Sequence, residues 1–439
     1  MADSDTIFAL ATPPGRSALA VFRISGKDAK SVLERLIGGP CPAPRSVFLR
    51  SIFDPQSSEK IDHALVTFFA APGSFTGEDL VELSVHGSRG VIDAVSSVLA
   101  RLPSVRAAEP GEFTRRAYAN GKFDLTQAEA IADLIDSETE FQRRQALRLL
   151  DGGLGQRAER WSRTLLAMSA ELESALDFSD EGDVDAANLS ELMRASRRLA
   201  EEMRSEVKKG ARSMSLRNGF TVVIAGAPNA GKSTLFNKLA GSDLAIVTEF
   251  AGTTRDLLKA ELDLDGVPVT LIDSAGVREV DDPVERIGIA RARSAIALAD
   301  LVVSLESADA PRLPGVENGP ATLNVWSKSD LYPIAAPSDI LISSEDSDSI
   351  FRLVAHIREQ ALAAVGDGSE GLLIRERHRD ALLEAADAME RFGDLCADDR
   401  LELAAEECRH ANLCLGRISG AFVAEDILGE IFARFCIGK

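Results

Sequence analysis

The chain has five cysteines, Cys41, Cys396, Cys408, Cys414 and Cys436, and no CxxC pair among them. An odd count without that spacing suits reduced thiols in a cytosolic protein. Basic residues are in deficit: 49 Lys and Arg against 69 Asp and Glu leave a net charge of −20. That argues against sequence-blind binding to nucleic acid, which rests on neutralising phosphates with Lys and Arg, although a local basic groove stays compatible with it. The opening Met1 to Gly15 lacks the basic segment and long apolar core of a signal peptide. No run of about 18 apolar residues occurs, so no membrane span is expected. The closing Cys436-Ile-Gly-Lys439 has Lys where a prenylation box needs another residue type, so lipidation is not expected. These absences leave an ordinary soluble, cytoplasmic protein of 439 residues, long enough for two to four domains of ~100–200 residues each.

What is present starts at Gly226-Ala-Pro-Asn-Ala-Gly-Lys-Ser233, which fits the phosphate-binding pattern G-x-x-x-x-G-K-[ST]. An apolar, β-branched run, Phe220 to Ala225, precedes it, and a helical run, Thr234 to Leu239, follows. In this context Asn229, Ala230, Gly231, Lys232, Ser233 and Thr234 are the candidate phosphate contacts. Backbone N–H groups curl around phosphate oxygens, Lys232 reaches the β/γ-phosphates, and the Ser233 hydroxyl ligates Mg2+. The partial positive charge of the helix N-terminus adds to the cradle. Downstream, Asp273-Ser274-Ala275-Gly276 closes the apolar strand Val269 to Ile272 as D-x-x-G, with Asp273 acting on Mg2+ through water and the Gly276 N–H meeting the γ-phosphate. Between them, Thr248-Glu249-Phe250-Ala251-Gly252-Thr253-Thr254 supplies a Thr that can close over Mg2+ when the γ-phosphate is present; Thr254 is the candidate.

Base choice points to guanine. Ser327-Lys328-Ser-Asp330 follows the strand Leu323 to Trp326 in the manner of N-K-x-D. Asp330 can accept from both guanine N1–H and N2–H2, Lys328 can lie along the base, and Ser343-Ser344 can meet O6 through its backbone. Ser327 in place of Asn weakens or removes one contact. No arginine stands as an internal finger, and Val277 occupies the place of a Gln after Gly276. Hydrolysis therefore needs another positive charge, worth about 10³–10⁵ in rate in other GTPases. Glu279, Asp281, Asp282 and Glu285 are all candidates to orient water.

Around this centre, residues 1–120 predict a mixed α+β domain. Strands are expected at Ala18 to Ile24, Ala64 to Ala70 and Asp79 to His86, and helices at Lys27 to Ile37 and Val91 to Leu102. From Thr126 the period is helical, with Thr126 and Glu129 as a capping box and further helices at Arg157 to Leu176 and Leu189 to Val207. The acidic stretch Asp177 to Asp185 predicts a solvated loop. Residues 217–368 alternate strand and helix, implying a parallel sheet. Helical pattern returns through His378 to Leu395, Leu401 to Cys414 and Val423 to Phe435. The expected architecture is an α/β P-loop domain (217–368) inserted into an all-α helical domain (121–216 and 369–439), preceded by the α+β domain.

Over nearly its whole length the sequence resembles the MnmE (TrmE) family of bacterial tRNA-modification GTPases. The resemblance rests on Ala11-Thr-Pro-Pro-Gly-Arg16, Arg23-Ile-Ser-Gly26, Phe75-Thr-Gly-Glu-Asp79, Glu109-Pro-Gly-Glu-Phe-Thr114, Ala119-Asn-Gly-Lys122, Pro228 to Ser233, Gly252-Thr-Thr-Arg-Asp256, Val284-Glu-Arg-Ile-Gly288 and Phe435 to Lys439. It implies a folate-binding, dimerising N-terminal domain and K+-activated GTP hydrolysis. The K+ ligands would be Asn229, Thr248, Phe250 and Thr253, with Glu285 orienting the attacking water. It also implies folate contacts at Arg23, Glu78, Lys122 and Lys439 for 5-formyl-tetrahydrofolate or a related one-carbon donor. The implied partners are a second copy in a homodimer, tRNA, and an FAD- and NADH-dependent MnmG-like protein in a heterotetramer. Together they would install an aminomethyl or carboxymethylaminomethyl group on C5 of the wobble uridine. Ser274 stands where the family has Thr, Ser88 where it has a second Gly, and Pro is missing after Asp177-Phe178. Cys436 is assigned no role. The alternative, a regulatory or ribosome-assembly GTPase switch, would need a basic RNA-binding appendage that this acidic chain lacks, and a folate-binding scaffold without hydrolysis would not need Lys232, Ser233, Asp273 and Glu285.

Overall fold

The structure, a computed structural model, describes residues 5–177, 186–242, 244–246, 258–274, 294–310, 321–331, 340–366, 371–423, 425–435 and 437–438. It divides into two compact units, residues 1–132 with 416–439, and residues 133–415.

The first unit is built on a six-stranded sheet of order β3-β4-β5-β2-β1-β6, with β1 at Thr6–Leu10, β2 at Leu19–Ser25, β3 at Val47–Phe53, β4 at Lys60–Phe69, β5 at Leu80–His86 and β6 at Val105–Ala107. Neighbours are antiparallel except β1 and β6. Helices α1 (Ala29–Ile37) and α2 (Arg89–Arg101) follow β2 and β5. In α1 the buried Val32, Leu33, Leu36 and Ile37 recur at helical spacing, so one face enters the core with Phe22, Ile24, Leu83 and Val85. Ser88 caps α2, its hydroxyl accepting from the Val91 N–H. The strands expected at 18–24, 64–70 and 79–86 are present within one to four residues, whereas β1, β3 and β6 were not anticipated.

Helix α3 (Glu112–Ala119) and the first turns of α4 (Leu125–Ile135) complete the unit with the C-terminal α12 (Glu425–Ala433). Phe432 and Phe435 bury against Leu125 and Ala128. A Cβ on Gly111 would lie 2.4 Å from the Phe432 carbonyl oxygen, and Gly111 has φ +66, so the turn entering α3 admits only glycine. Residues 416–439, expected with the helical domain, therefore cluster with the N-terminal residues. The helix expected from Thr126 starts one residue earlier, and its capping box is Asp124 with Gln127 rather than Thr126 with Glu129. Asp124 Oδ1 accepts from the Gln127 N–H (2.9 Å) and Gln127 Oε1 from the Asp124 N–H (3.0 Å). The Thr126 hydroxyl instead donates to Asp124 Oδ1, so it supports the cap without being it.

The second unit contains α5 (Glu140–Leu150), α6 (Gly153–Asp177), α7 (Ala186–Asn218), α10 (Glu376–Ala397) and most of α11 (Leu401–Ser419). Helix α7 runs eleven residues past the expected end at Val207 and delivers the chain to the second sheet. Helix α10 packs along α7, burying Leu382, Ala385, Met389 and Phe392. The second sheet comprises β7 (Phe220–Gly226), β8 (Ala245–Ile246), β9 (Leu258–Leu264), β10 (Val267–Asp273), β11 (Leu301–Glu306), β12 (Ala321–Trp326) and β13 (Ile340–Leu341) in the order β13-β12-β11-β7-β10-β9-β8. Helices α8 (Lys232–Ala240) and α9 (Ser347–Val365) pack on it. The sheet is mixed rather than wholly parallel: β9 and β10 form an antiparallel hairpin about Asp265-Gly266. Both turn residues have positive φ (+55 and +94), the two-residue turn that matches strand twist. The chain steps from β7 outward to β10 on one side and to β11 on the other. This reversal opens a crevice at the carboxyl ends of the strands, where α/β sheets bind ligands.

Candidate functional site

The phosphate loop leaves β7 at that reversal. Val222, Val223 and Ile224 are fully buried, each burial worth about 1.5–3 kcal/mol, so the loop springs from a fixed base. Gly226 has φ +157, and a Cβ there would lie 2.6 Å from the Leu305 carbonyl oxygen. Asn229 adopts φ +65, a left-handed conformation that Asn tolerates better than most residues, and its side chain is exposed. Gly231, at φ +92, caps α8, whose first residue is Lys232. The loop thus presents a helix N-terminus.

Lys232 is buried and bends back over the loop, its Nζ donating to the Gly226 and Ala227 carbonyls at 2.9 Å each. Burial pushes its ammonium below the usual range, and the neighbouring Asp273 opposes this in part. The Ser233 hydroxyl donates to Asp273 Oδ2 at 2.9 Å, while Asp273 Oδ1 is buried without a hydrogen-bond partner. An unpartnered buried carboxylate oxygen is costly, and beside a hydroxyl it fits a hard divalent cation or its water shell. Ser274 turns inward: its N–H and hydroxyl both donate to the Ile224 carbonyl (3.2 and 2.7 Å), locking the end of β10 to β7.

The base-side residues close the same crevice. Ser327 is buried, and its hydroxyl donates to the carbonyls of Ala230 (2.7 Å) and Glu306 (3.2 Å), tying the phosphate loop to β11 and β12. The residue expected to have lost a contact to the base therefore carries one that shapes the loop. Lys328 has φ +56 and reaches Asp309 at 2.7 Å; that hydrogen bond, with one from Ser307, holds the Asp309 carboxyl below its usual range. Gly231, Thr234, Lys238, Ser327, Lys328 and Ser344 line one pocket. The Lys238 ammonium donates to the Ser344 carbonyl, and Ser343 is buried and pinned by the Ser349 hydroxyl (3.1 Å). Asp330 is exposed at the end of this segment.

The first unit holds a second charged site. Arg23 pairs with Glu82 (2.9 Å) and lies over the Phe75 ring at 5.7 Å. Glu78 accepts from the Ser25 hydroxyl (2.9 Å) and pairs with Arg116 (3.2 Å). Lys122 donates to the Pro72 carbonyl (2.8 Å), and its stem lies against Gly77. The loop from Phe75 to Glu78 thus gathers Arg23, Glu78 and Lys122. Gly438 abuts Leu10 at the end of β1 and Ala11 just beyond it, so it belongs to this unit as well. Sequence reasoning missed the groups beneath. Arg116 is buried and binds Glu112 (2.8 Å) and the Asp5 carbonyl (2.8 Å), and Glu112 takes a two-pronged bond from Arg106 (2.8 and 2.7 Å). Burial alone would raise the Glu112 carboxyl, but bonds from Arg106, the Glu109 N–H and Arg116 hold it at about 2. The one local signal was the i,i+4 spacing of Glu112 and Arg116.

Thr248, Glu249, Phe250, Ala251, Gly252, Thr253, Thr254, Ala275, Gly276, Glu279, Asp281, Asp282, Glu285, Cys436, Lys439 and the acidic stretch 178–185 lie outside the described residues. Among the described residues no helix is long and apolar enough to cross a membrane.

Two family models match: the GTP-binding protein TrmE N-terminus over residues 6–122 and the MnmE helical domain over residues 125–436. The tRNA modification GTPase MnmE of Methylobacterium radiotolerans is 46% identical over 447 aligned positions, covering 100% of both chains. The protein of the same description from Bradyrhizobium sp. (strain ORS 278) is 46% identical over 99% of both. Among solved structures, the G domain of the T. maritima FeoB iron transporter is 24% identical over 32% of this chain and 98% of its own, with a TM-score of 0.27. By the family models and full-length identity, the chain belongs to the MnmE family.

Proposed function

We propose that the protein hydrolyses GTP and couples that hydrolysis to modification of tRNA in the cytoplasm. The observation that carries this reading is the crevice in which buried Lys232, Ser233 beside Asp273, and the pocket between Gly231, Ser327 and Lys328 converge. Lys232 is held ready to exchange two loop carbonyls for phosphate oxygens. The helix N-terminus at Gly231 orients the phosphates, and the low dielectric around Lys232 strengthens their attraction. Ser233 and Thr254 would hold Mg2+, for which the spare Asp273 oxygen provides a water-bridged anchor. Asn229, exposed at the loop tip with a hard amide oxygen, would hold K+ together with Thr248, Phe250 and Thr253. When bound, the two cations would supply to the phosphates the positive charge that an arginine finger gives in other GTPases. Glu285 orients the attacking water, and Asp330 and Lys328 select guanine.

The family relationship supports the wider reading. Residues 1–120 form a folate-binding and dimerising domain, 217–368 a G domain, and 121–216 with 369–415 the helical domain around it, the segment from 416 onward clustering with the N-terminal unit. Arg23 and Lys122 suit the folate carboxylates and Glu78 the pterin donors, with Lys439 closing the site. Arg23 and Glu78 already have protein partners, so folate binding exchanges ion pairs rather than filling vacant charges. The protein acts as a homodimer with an FAD- and NADH-dependent MnmG-like partner on C5 of the wobble uridine, with 5-formyl-tetrahydrofolate or a related one-carbon folate as donor. GTP hydrolysis measured in KCl and in NaCl, for wild type and Glu285→Ala, tests the first part. Equal rates in both salts remove the potassium, and an unchanged mutant removes Glu285. Titration of 5-formyl-tetrahydrofolate without GTP tests the N-terminal site separately, and wild-type affinity in a Lys122→Ala, Arg23→Ala variant would reject it.

A further inference from the structure

Far from the phosphate loop in sequence, three side chains that bind no nucleotide converge on one point. His410 and Cys414 stand one turn apart on α11, on the same helix face, and Glu384 reaches them from α10. The Cys414 sulfur lies 3.5 Å from Glu384 Oε2 and 3.8 Å from His410 Nε2, and the three ligand atoms all fall within 4.8 Å of one another. With Zn–S near 2.3 Å and Zn–N or Zn–O near 2.0–2.2 Å, a tetrahedral zinc separates its sulfur from each neighbouring ligand by about 3.5 Å. The observed spacings match that edge to within a few tenths of an ångström, before any ion draws the groups together.

We propose that Glu384, His410 and Cys414 form a zinc site, with a water as the fourth ligand. The donor set decides the metal: a thiolate and an imidazole favour Zn2+ over Mg2+ or Ca2+, which take oxygen ligands. Charge decides the balance, since one thiolate and one carboxylate neutralise the divalent ion and leave the imidazole neutral. On binding, the Cys414 S–H proton, now directed at Glu384, passes to solvent, and the sulfur lone pair goes to the metal. Cys414 lies buried at the floor while Glu384 and His410 are exposed at the rim, which gives an ion an entry path. The ligands stand on rigid helices: Leu382 and Ala385 beside Glu384 are fully buried, as are Ala411 and Leu415 beside His410 and Cys414. Arg391, close enough to feel charge on Cys414, is itself held in a two-pronged ion pair by Glu407 (2.9 and 2.8 Å), so its charge is not left unopposed. Bound zinc would staple α10 to α11.

The test is titration of the full chain with Co2+ in the presence of excess Mg2+, read by thiolate-to-cobalt charge-transfer absorption and reversed by Zn2+. Wild type should show a stoichiometric band that Cys414→Ser abolishes. Glu384→Gln, which keeps the shape of the side chain, should weaken binding at least tenfold while leaving the thermal melt of the metal-free chain in place. A wild type without a band, a band unchanged in Cys414→Ser, or full affinity in Glu384→Gln would overturn the site.

Discussion

The phosphate crevice and the charged cluster under α3 are both built from buried ions, and they solve the cost of burial in opposite ways. In the N-terminal cluster the charged ends answer one another: Glu112 is held by two arginines, and Arg116 by two carboxylates and a backbone carbonyl, with its Nε alone left unpartnered. In the crevice the charges are satisfied only provisionally. Lys232 borrows two loop carbonyls, and Asp273 keeps one buried oxygen with no partner. A closed network specifies a fold, because breaking it strands a charge. An open one stores polar groups that a ligand can satisfy, which is what a binding site requires. The difference separates residues whose loss should unfold the protein from residues whose loss should silence it.

The largest effect is expected where the closed network is cut. Glu112→Ala leaves Arg106 and the buried Arg116 without their shared carboxylate and should cost about 3–5 kcal/mol. Chemical denaturation followed by circular dichroism reads this as a shifted midpoint. A loss below about 1 kcal/mol would mean that the cluster is not closed. Lys232→Ala should do the reverse, leaving the unfolding midpoint nearly in place while GTP hydrolysis falls about 10²–10³-fold, the scale of one preorganised charge facing the transition state. Single-turnover hydrolysis at saturating nucleotide checks it, and activity within a few-fold of wild type would contradict the assignment.

The same comparison has a pH signature. The folded Glu112 carboxyl is held at about 2, against an ordinary value of 4.5. Its depressed value means that the ionised form favours the folded state. The contribution is therefore complete above about pH 4.5 and is lost as pH falls towards 2. It amounts to about 3 kcal/mol at full ionisation. Urea midpoints collected between pH 6 and pH 2.5 should decline in wild type and lose most of this component in Glu112→Gln. Parallel slopes in the two proteins would assign the acid sensitivity to other carboxylates.

How much of this was legible before the structure depends on whether the signal was local. The phosphate loop was, because its glycines, Lys232 and Ser233 are fixed by backbone geometry within eight residues. Strand β5 was, because its alternation survives burial on one face. Strand β3 was not: six of its seven residues are exposed or half-buried at the sheet edge outside the core pattern, and its pairing is set by β4. The Glu112–Arg116 pair stood in the sequence at helical spacing, yet its burial depends on Asp5, Glu78 and Arg106, which no local pattern joins to it. The period of the C-terminal helix is a local signal, but its partner surface on α3 and α4 follows from Phe432 and Phe435, whose targets lie about 300 residues away.

Ser327 is where the two regimes meet, and it gives the smallest expected effect. Its hydroxyl is buried and fully used, donating to Ala230 in the phosphate loop and Glu306 at the end of β11. In this it resembles the closed network, yet it stands on the wall of the open pocket. Ser327→Ala strands the Ala230 carbonyl without introducing bulk, so the loop loses one tether, worth about 1 kcal/mol. Because that tether holds the loop in its nucleotide-ready shape, the loss should appear in binding rather than in folding: GDP affinity should fall about fivefold, with the unfolding midpoint little changed. Stopped-flow with a fluorescent guanine nucleotide should assign the change to faster release. Unaltered affinity with lowered stability would place Ser327 with the structural charges and leave guanine recognition to Lys328 and Asp330.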